Sequence, residues 1–278
     1  MVSLSGGRTS GYMLRRILDA HGGTLPPDVR VVFANTGEEH PGTLDFVQSI
    51  SDRWNVPVTW LEYDPKAEGF YRVVTHATGS REGEPLTDLA IHRHDRSEGV
   101  FYLPNAIQRI CTGYLKMFIF GAWMRAIGYG EMGDWQNIVG LRADEPKRLA
   151  DLRKRNEKGE DNYAPLGVAV ITKADVMAFW AAQPFDLPDF GVKPWEGNCQ
   201  MCFLKGIHQR IRVARDHPEV AARWQAREEM VGASHDKKYP VAAIRARAEL
   251  PMIPGLGDGD DELLLAEESA RIPCTCHD

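Results

Sequence analysis

The stretch LSGGRTSGYMLRRIL, residues 4–18, places two glycines between serines just before an amphipathic run. The apolar residues before the glycines predict a short strand, and those from 11 to 20 recur at helical spacing. Glycines at such a junction let backbone N–H groups turn toward an anion, and the helix N-terminus adds partial positive charge. A plain strand-to-helix turn with serine capping is the alternative.

Two further apolar runs continue this pattern along the chain. VRVVF (29–33) and PVTWLEYD (57–64) predict buried strands, and NTGEEH (35–40) with an amphipathic helix lies between them. The order strand, helix, strand, helix, strand predicts a doubly wound α/β domain with a mostly parallel sheet. Ligands of such domains bind beyond the carboxyl ends of the strands, where SGGRTSG and NTGEEH both fall.

Composition limits the classes of protein to consider. The 278 residues carry a formal charge of −6, which gives no global attraction to nucleic acid but leaves a local basic groove open. The chain has no apolar stretch of the roughly 18 residues that a membrane helix needs and no signal-peptide pattern, so we expect a cytoplasmic protein with no membrane partner. Five cysteines in a reducing compartment indicate metal ligands or reactive thiols rather than disulfides.

Several motifs resemble those of one protein family. SGGRTS is similar to the SGGxxS pyrophosphate loop of the adenine nucleotide α-hydrolase superfamily, and FANTGEEHPGTLDFV (33–47) resembles the second motif of the phosphoadenosine phosphosulfate (PAPS) reductase family. Further matches follow in the family's order: RICTGYLKM (109–117), GLRADEPKR (140–148), APLGVAVITKADVMAFW (164–180) and GNCQMCFLKG (197–206). The resemblance spans residues 3–206 and implies the HUP-like fold of this superfamily.

The resemblance also implies an adenine nucleotide, either ATP or a sulfonucleotide such as PAPS or adenylyl sulfate, with Mg²⁺ as a further candidate. The nucleotide-binding residues that it implies are Ser5, Gly6, Gly7, Arg8, Thr9, Ser10, Asn35, Thr36, Gly37, Arg109, Gly140 and Arg148. Lys116 and Arg142 are candidate catalytic residues because their cations can neutralise phosphate or sulfate. For each cation, a solvated surface charge is the alternative. We interpret Glu38 and Glu39 as the negative first turn of the second helix and His40 as structural.

The cysteines point to a metal centre. Cys199 and Cys202 have chelate spacing, and Cys111 lies in a motif that supplies cluster ligands in iron–sulfur members of the resembled family. A four-iron, four-sulfur (4Fe-4S) cluster takes four cysteines, or three if one iron stays open. Ile110 stands where cluster-bearing reductases have another cysteine, so Cys274 or Cys276 is the candidate fourth ligand. A zinc ion with a histidine such as His208 and buried reduced thiols are the alternatives.

The C-terminal part of the chain has a different pattern. We divide the chain into a nucleotide-binding domain (1–206), a helical extension (207–231) broken at His217-Pro218, and a tail (232–278) that is loop-rich up to about residue 262. The tail ends in Cys274-Thr275-Cys276-His277, which resembles the Cys-Gly-x-His end of sulfonucleotide reductases in its first and last positions only. This resemblance implies that Cys274 is the nucleophile.

Three functions are compatible with these features. The first expectation is sulfonucleotide reduction, in which Cys274 takes the sulfonyl group and an external thiol or electron donor releases sulfite. The second is ATP-dependent thiolation of a nucleic acid or small molecule, which the complete SGGxxS loop favours. The third is a nucleotide-binding regulator without turnover. A homo-oligomer is compatible with each of them.

Overall fold

The computed structural model of the chain describes residues 1–93, 95–97, 99 and 101–251. A sheet of six strands runs through these residues in the order β4-β3-β2-β1-β5-β6, and all neighbours are parallel except β3 and β4. The strands are β1 (Val2–Ser3), β2 (Val31–Ala34), β3 (Val58–Tyr63), β4 (Tyr71–Val74), β5 (Asn137–Ile138) and β6 (Asn162–Tyr163). The predicted mostly parallel α/β fold is confirmed.

Helices connect the strands and continue to the C-terminal side. They are α1 (Arg8–Ala20), α2 (Pro41–Trp54), α3 (Glu84–Ile91), α4 (Ile110–Thr112), α5 (Ile119–Ala126), α6 (Pro146–Asn156), α7 (Pro165–Val168), α8 (Lys173–Ala181), α9 (Ile207–Asp216), α10 (Pro218–Val231) and α11 (Val241–Ala248). A π-helical turn, Gly113–Phe118, joins α4 to α5, and short 3-10 helices cover Glu68–Phe70 and Leu187–Phe190. Among the described residues, no helix combines the length and apolarity that crossing a membrane requires.

Alternate residues of the central strands face two separate cores. Phe33 and Trp60 pack on one face against α1, α2 and α8, whereas Val32 and Leu61 pack on the other against α3, α5 and the C-terminal helices. Buried strands with apolar residues on both faces are typical of a parallel sheet that helices cover on both sides. Helices α9 to α11 therefore complete one of the two cores.

The tail contains more regular structure than its composition predicts. We expected loop over residues 232–262, but α11 occupies Val241–Ala248. The sequence VAAIRARA is rich in good helix formers, and Val241 and Ile244 are fully buried in the core beside α9 and α10. The glycines and prolines that favoured a loop flank this helix rather than interrupt it.

Candidate nucleotide and thiol site

The SGGRTS loop lies between β1 and α1 and is closed by its own serines. Gly6 has a φ of +80°, in the left-handed region that favours glycine, and Gly7 is the N-cap of α1. Ser10 Oγ accepts the Ser5 N–H at 3.1 Å and donates to the Gly7 carbonyl at 3.0 Å. The first amides of a helix have no intrahelical acceptor and carry partial positive charge. The loop thus presents backbone donors at the start of α1, as an anion cradle requires.

Two neighbouring segments pack closely on this loop at Gly6 and Gly140. A Cβ on Gly6 would lie 2.6 Å from Thr43 Cγ2, and a Cβ on Gly140 would lie 3.2 Å from Ser10 N. Thr43 Oγ1 is buried beside the loop and has no hydrogen-bond partner within the part of the chain that the structure describes. A tight glycine cradle with a spare buried hydroxyl fits a bound anion.

Arg142 is the predicted catalytic cation that reaches the loop. Its Nη1 donates to Thr9 Oγ1 at 2.9 Å, and its Nε donates to Asp144 at 2.9 Å. Strand β1 pairs with β2 on one side and β5 on the other, so the loops after β1 and β5 diverge at the point where the strand order reverses. Ligands of doubly wound sheets bind at this crevice.

Arg142 also pairs with Glu145 at 3.7 Å, and Arg8 and Arg148 have carboxylate partners as well. Arg8 turns away from its own loop and forms a two-point ion pair with Asp186. Arg148 is buried and pairs with Glu145. Arg109 is the N-cap of α4. The structure therefore brings Arg142 to the loop, whereas Arg8 and Arg148 form ion pairs with Asp186 and Glu145.

The NTGEEH loop after β2 is held by buried hydrogen bonds. The Asn35 amide donates to Glu62 Oε1 at 2.6 Å and to the Ser80 carbonyl at 2.9 Å, and its oxygen accepts the Gly37 N–H at 3.1 Å. Gly37 has a φ of +74°. These bonds use both polar ends of Asn35, so the side chain fixes the loop in this structure.

Cys199, Cys202 and Lys116 lie near the NTGEEH loop, and Cys111 packs against the same core. Cys202 is buried in the core that α9 to α11 complete, with Cys111 and Cys199 packed against the same cluster. Glu39 pairs with Cys199 in an isolated antiparallel bridge, and Thr36 Oγ1 lies 3.4 Å from Cys199 Sγ. Residues 36, 39, 111, 199 and 202 thus belong to one region at the carboxyl edge of the sheet.

Burial and charge set the protonation of this region. Burial raises the pKa of Cys199 well above its ordinary value, and the Glu39 carboxylate adds to the rise. Burial also raises the pKa of Glu39, while Lys116 and the hydrogen bonds from Thr36 oppose the rise. Lys116 is buried within the π-helical turn, a form of helix that often marks functional sites. In the metal-free protein, the carboxylate and the ammonium group compensate each other.

Two acidic residues that we assigned to a helix first turn are instead buried parts of the site. That interpretation is wrong because α2 begins at Pro41 and its N-cap is His40, which accepts the Gly42 N–H. Glu38 is fully buried, and Arg227 and Trp224 of α10 donate to its carboxylate. The pair of acids directly after a strand-end glycine was the sequence signal available for a buried site. The partners of Glu38, Trp224 and Arg227, lie almost 190 residues further along the chain.

The identity of a metal at the cysteines, an iron–sulfur cluster or a zinc ion, remains a prediction. Thiolates on one tetrahedral zinc ion lie about 3.8 Å apart, because each Zn–S bond is about 2.3 Å. Across residues 1–93, 95–97, 99 and 101–251, three such ligand atoms come within 4.8 Å of one another only at His40, Glu196 and His217. The proposed zinc ligand His208 is exposed on α9.

The tail residues Cys274, Cys276 and His277 lie outside the described residues. The predicted roles of Cys274 as nucleophile and of Cys274 or Cys276 as fourth metal ligand therefore remain predictions.

The fold and the loops at its edge define a doubly wound α/β protein with a glycine cradle at its topological switch point. Comparison with known proteins adds a relative. Over 222 residues the chain is 32% identical to the uncharacterized nin region protein ORF290 of Escherichia phage lambda, an alignment covering 77% of this chain and 68% of that protein. The chain belongs to the same family as this lambda protein. No family model and no solved structure matches it.

Proposed function

We propose that the chain binds an adenine nucleotide through the SGGRTS loop and uses it for sulfur chemistry at the adjoining thiols. The observation that carries this proposal is the packing at the switch point, where Gly140 closes on Ser10 and Arg142 donates to Thr9. The resemblance to the PAPS reductase family supplies the adenine nucleotide as the ligand. The odd number of cysteines, five, favours a reducing, cytoplasmic environment.

ATP-dependent activation is the reaction that the loop supports best. Backbone amides at the start of α1 would bind the β- and γ-phosphates, and Arg142 would neutralise negative charge as a substrate oxygen attacks the α-phosphorus. Pyrophosphate is then the leaving group, which gives the complete SGGxxS sequence a purpose. A nucleic acid or a small molecule would be the acceptor: the sulfur of an external sulfide donor would bond to the activated carbon, and AMP would leave with the oxygen of that carbon.

The thiols would take part in the second half of the reaction. Cys111, Cys199 and Cys202 would hold an iron–sulfur cluster, which when bound supplies an iron with an open position for sulfur. Lys116 and Glu39 keep the pocket around Cys199 close to neutral before any metal enters. Thr36 would orient the Cys199 sulfur through its hydroxyl group.

Sulfonucleotide reduction is the second candidate, and the Cys-x-Cys-His tail favours it. In that reaction the Cys274 thiolate attacks the sulfonyl sulfur, the adenine nucleotide leaves, and an external thiol reduces the S-sulfo intermediate to release sulfite. The nucleotide would occupy the same loop. The two candidates therefore differ in their product, not in the site.

Product analysis distinguishes these reactions. The protein, reconstituted anaerobically with iron and sulfide, is incubated separately with ATP, adenylyl sulfate and PAPS. We expect pyrophosphate from ATP, a loss of at least about tenfold in Arg142→Ala from the missing charge-assisted bond, and full activity in the exposed control Arg125→Ala. Sulfite that requires Cys274 would favour the second candidate. If the protein binds none of the three nucleotides, the proposal is wrong.

A further inference from the structure

A cluster of three metal-ligating side chains lies apart from the cysteines. It joins His40, the N-cap of α2, to His217, at the junction of α9 and α10, through Glu196, three residues before Cys199. One ligand atom from each side chain lies within 4.8 Å of the other two. Three distant parts of the chain thus present two imidazoles and one carboxylate to a common point.

Glu196 lies at the centre of this cluster and is completely buried. Its Oε1 lies 2.7 Å from His217 Nε2, and its Oε2 lies 3.7 Å from His40 Nε2 and accepts the Lys193 N–H at 2.8 Å. A buried carboxylate needs compensation by a cation or by several hydrogen bonds. In this structure, two imidazoles and one amide surround it.

The two imidazole rings differ in how closely their hydrogen bonds match those of a metal ligand. His217 Nδ1 lies 3.7 Å from Glu219 Oε1, so a carboxylate stands behind the ring whose Nε2 faces the cluster, as in many metal sites. His40 Nδ1 accepts the Gly42 N–H at 3.0 Å, which puts the proton of the neutral ring on Nε2. A cation must therefore replace the proton on His217 Nε2, and the His40 proton must move from Nε2 to Nδ1, which releases the Gly42 N–H, before Nε2 offers a lone pair.

We propose that His40, Glu196 and His217 form a binding site for a divalent first-row transition metal such as zinc, separate from the cysteine region. Two imidazoles and one carboxylate are a ligand set that zinc and iron(II) use, with water in the remaining positions. The metal would connect the start of α2 to the junction between α9 and α10. It would thereby tie the NTGEEH loop to the segment that leads into Cys199.

Cobalt(II) is the probe that separates this site from the thiols. Bound to nitrogen and oxygen ligands, cobalt gives visible d–d bands without the near-ultraviolet charge-transfer band of a cobalt–thiolate bond. We expect the wild-type protein to bind one cobalt ion that gives these d–d bands, whatever charge-transfer band the thiols add, and zinc to displace this cobalt. Glu196→Gln and His217→Gln should each weaken binding by at least about a hundredfold.

The exposed His208 on α9 provides the matched control, and His208→Gln should bind as the wild type does. Because a buried variant can fail to fold, a second measurement uses the wild-type protein with ¹⁵N-labelled histidine rings. Zinc should shift the ring nitrogens of His40 and His217 and leave those of His208 unchanged. If these two rings keep their metal-free shifts at saturating zinc, or Glu196→Gln binds cobalt as tightly as the wild type, the proposal is wrong.

Discussion

Replacing Gly6 by alanine tests whether the first loop is built as tightly as the structure indicates. At a φ of +80° the new Cβ would cost about 1–2 kcal/mol for left-handed backbone. It would also lie 2.6 Å from Thr43 Cγ2, well inside van der Waals contact, and relieving such a clash costs about 1–3 kcal/mol. We therefore expect the free energy of unfolding to fall by about 2–5 kcal/mol.

Gly22 provides the matched control because it has a φ of +67° and no atom within 4 Å of its added Cβ. Gly22→Ala should cost the backbone part alone, about 1–2 kcal/mol. Urea denaturation of the two variants, followed by circular dichroism, measures the difference, and titration with ATP measures binding. Equal unfolding free energies in the two variants, or unchanged ATP affinity in Gly6→Ala, would refute the reasoning.

Three further predictions concern other parts of the molecule. Gly140→Ala should weaken ATP binding with little loss of stability, since its Cβ would press on the backbone of Ser10 at 3.2 Å. Arg227→Met should lower the free energy of unfolding by about 3–5 kcal/mol, because it removes the close ion-pair partner of the buried Glu38 carboxylate and leaves it only Arg223 at 3.7 Å and the Trp224 N–H. Burial lowers the pKa of His235 from 6.5 to about 3. Below about pH 6.5 the unfolded chain takes up a proton that the folded protein does not, so the His235 contribution lowers the free energy of unfolding by about 1.4 kcal/mol per pH unit down to about pH 3. His235→Phe should flatten this slope in urea denaturation between about pH 7 and pH 5.

Each of these predictions has a control in an open part of the molecule. Gly121→Ala adds a Cβ with only a distant neighbour at 3.8 Å, so ATP binding should not change. Arg125→Met breaks an exposed ion pair with Glu131 and should cost less than about 1 kcal/mol. His208→Phe should leave the pH slope as in the wild type. A control that changes as much as its partner variant would contradict the corresponding argument.

Short-range pattern was sufficient to predict the central part of the fold. The apolar runs at 29–33 and 57–64 became β2 and β3, and the glycine loop at 5–10 lies between β1 and α1 as the helical spacing after it indicated. The break at His217-Pro218 separates α9 from α10 as expected. Strands β5 and β6 have only two residues each, which is too few for an alternating pattern to identify.

Long-range contacts decided the features that the sequence did not predict. Glu38 is buried only because α10 brings Arg227 and Trp224 to it, and no local spacing carries that information. The same is true of the His40, Glu196 and His217 cluster, whose members are separated by 156 and 21 positions. That Cys111, Cys199 and Cys202 share a metal centre was expected from the family resemblance rather than from their spacing, and it stays a prediction.

Nuclear magnetic resonance of ¹⁵N-glycine-labelled protein during titration with ATP tests the nucleotide site most directly. Gly6, Gly7 and Gly140 report on the loop, while Gly22, Gly128 and Gly159 lie in open turns without a close neighbour and serve as internal references. The account predicts the largest amide shifts at the first three glycines and unchanged references. Shifts that are absent from the first three, or no larger there than at the references, would contradict it.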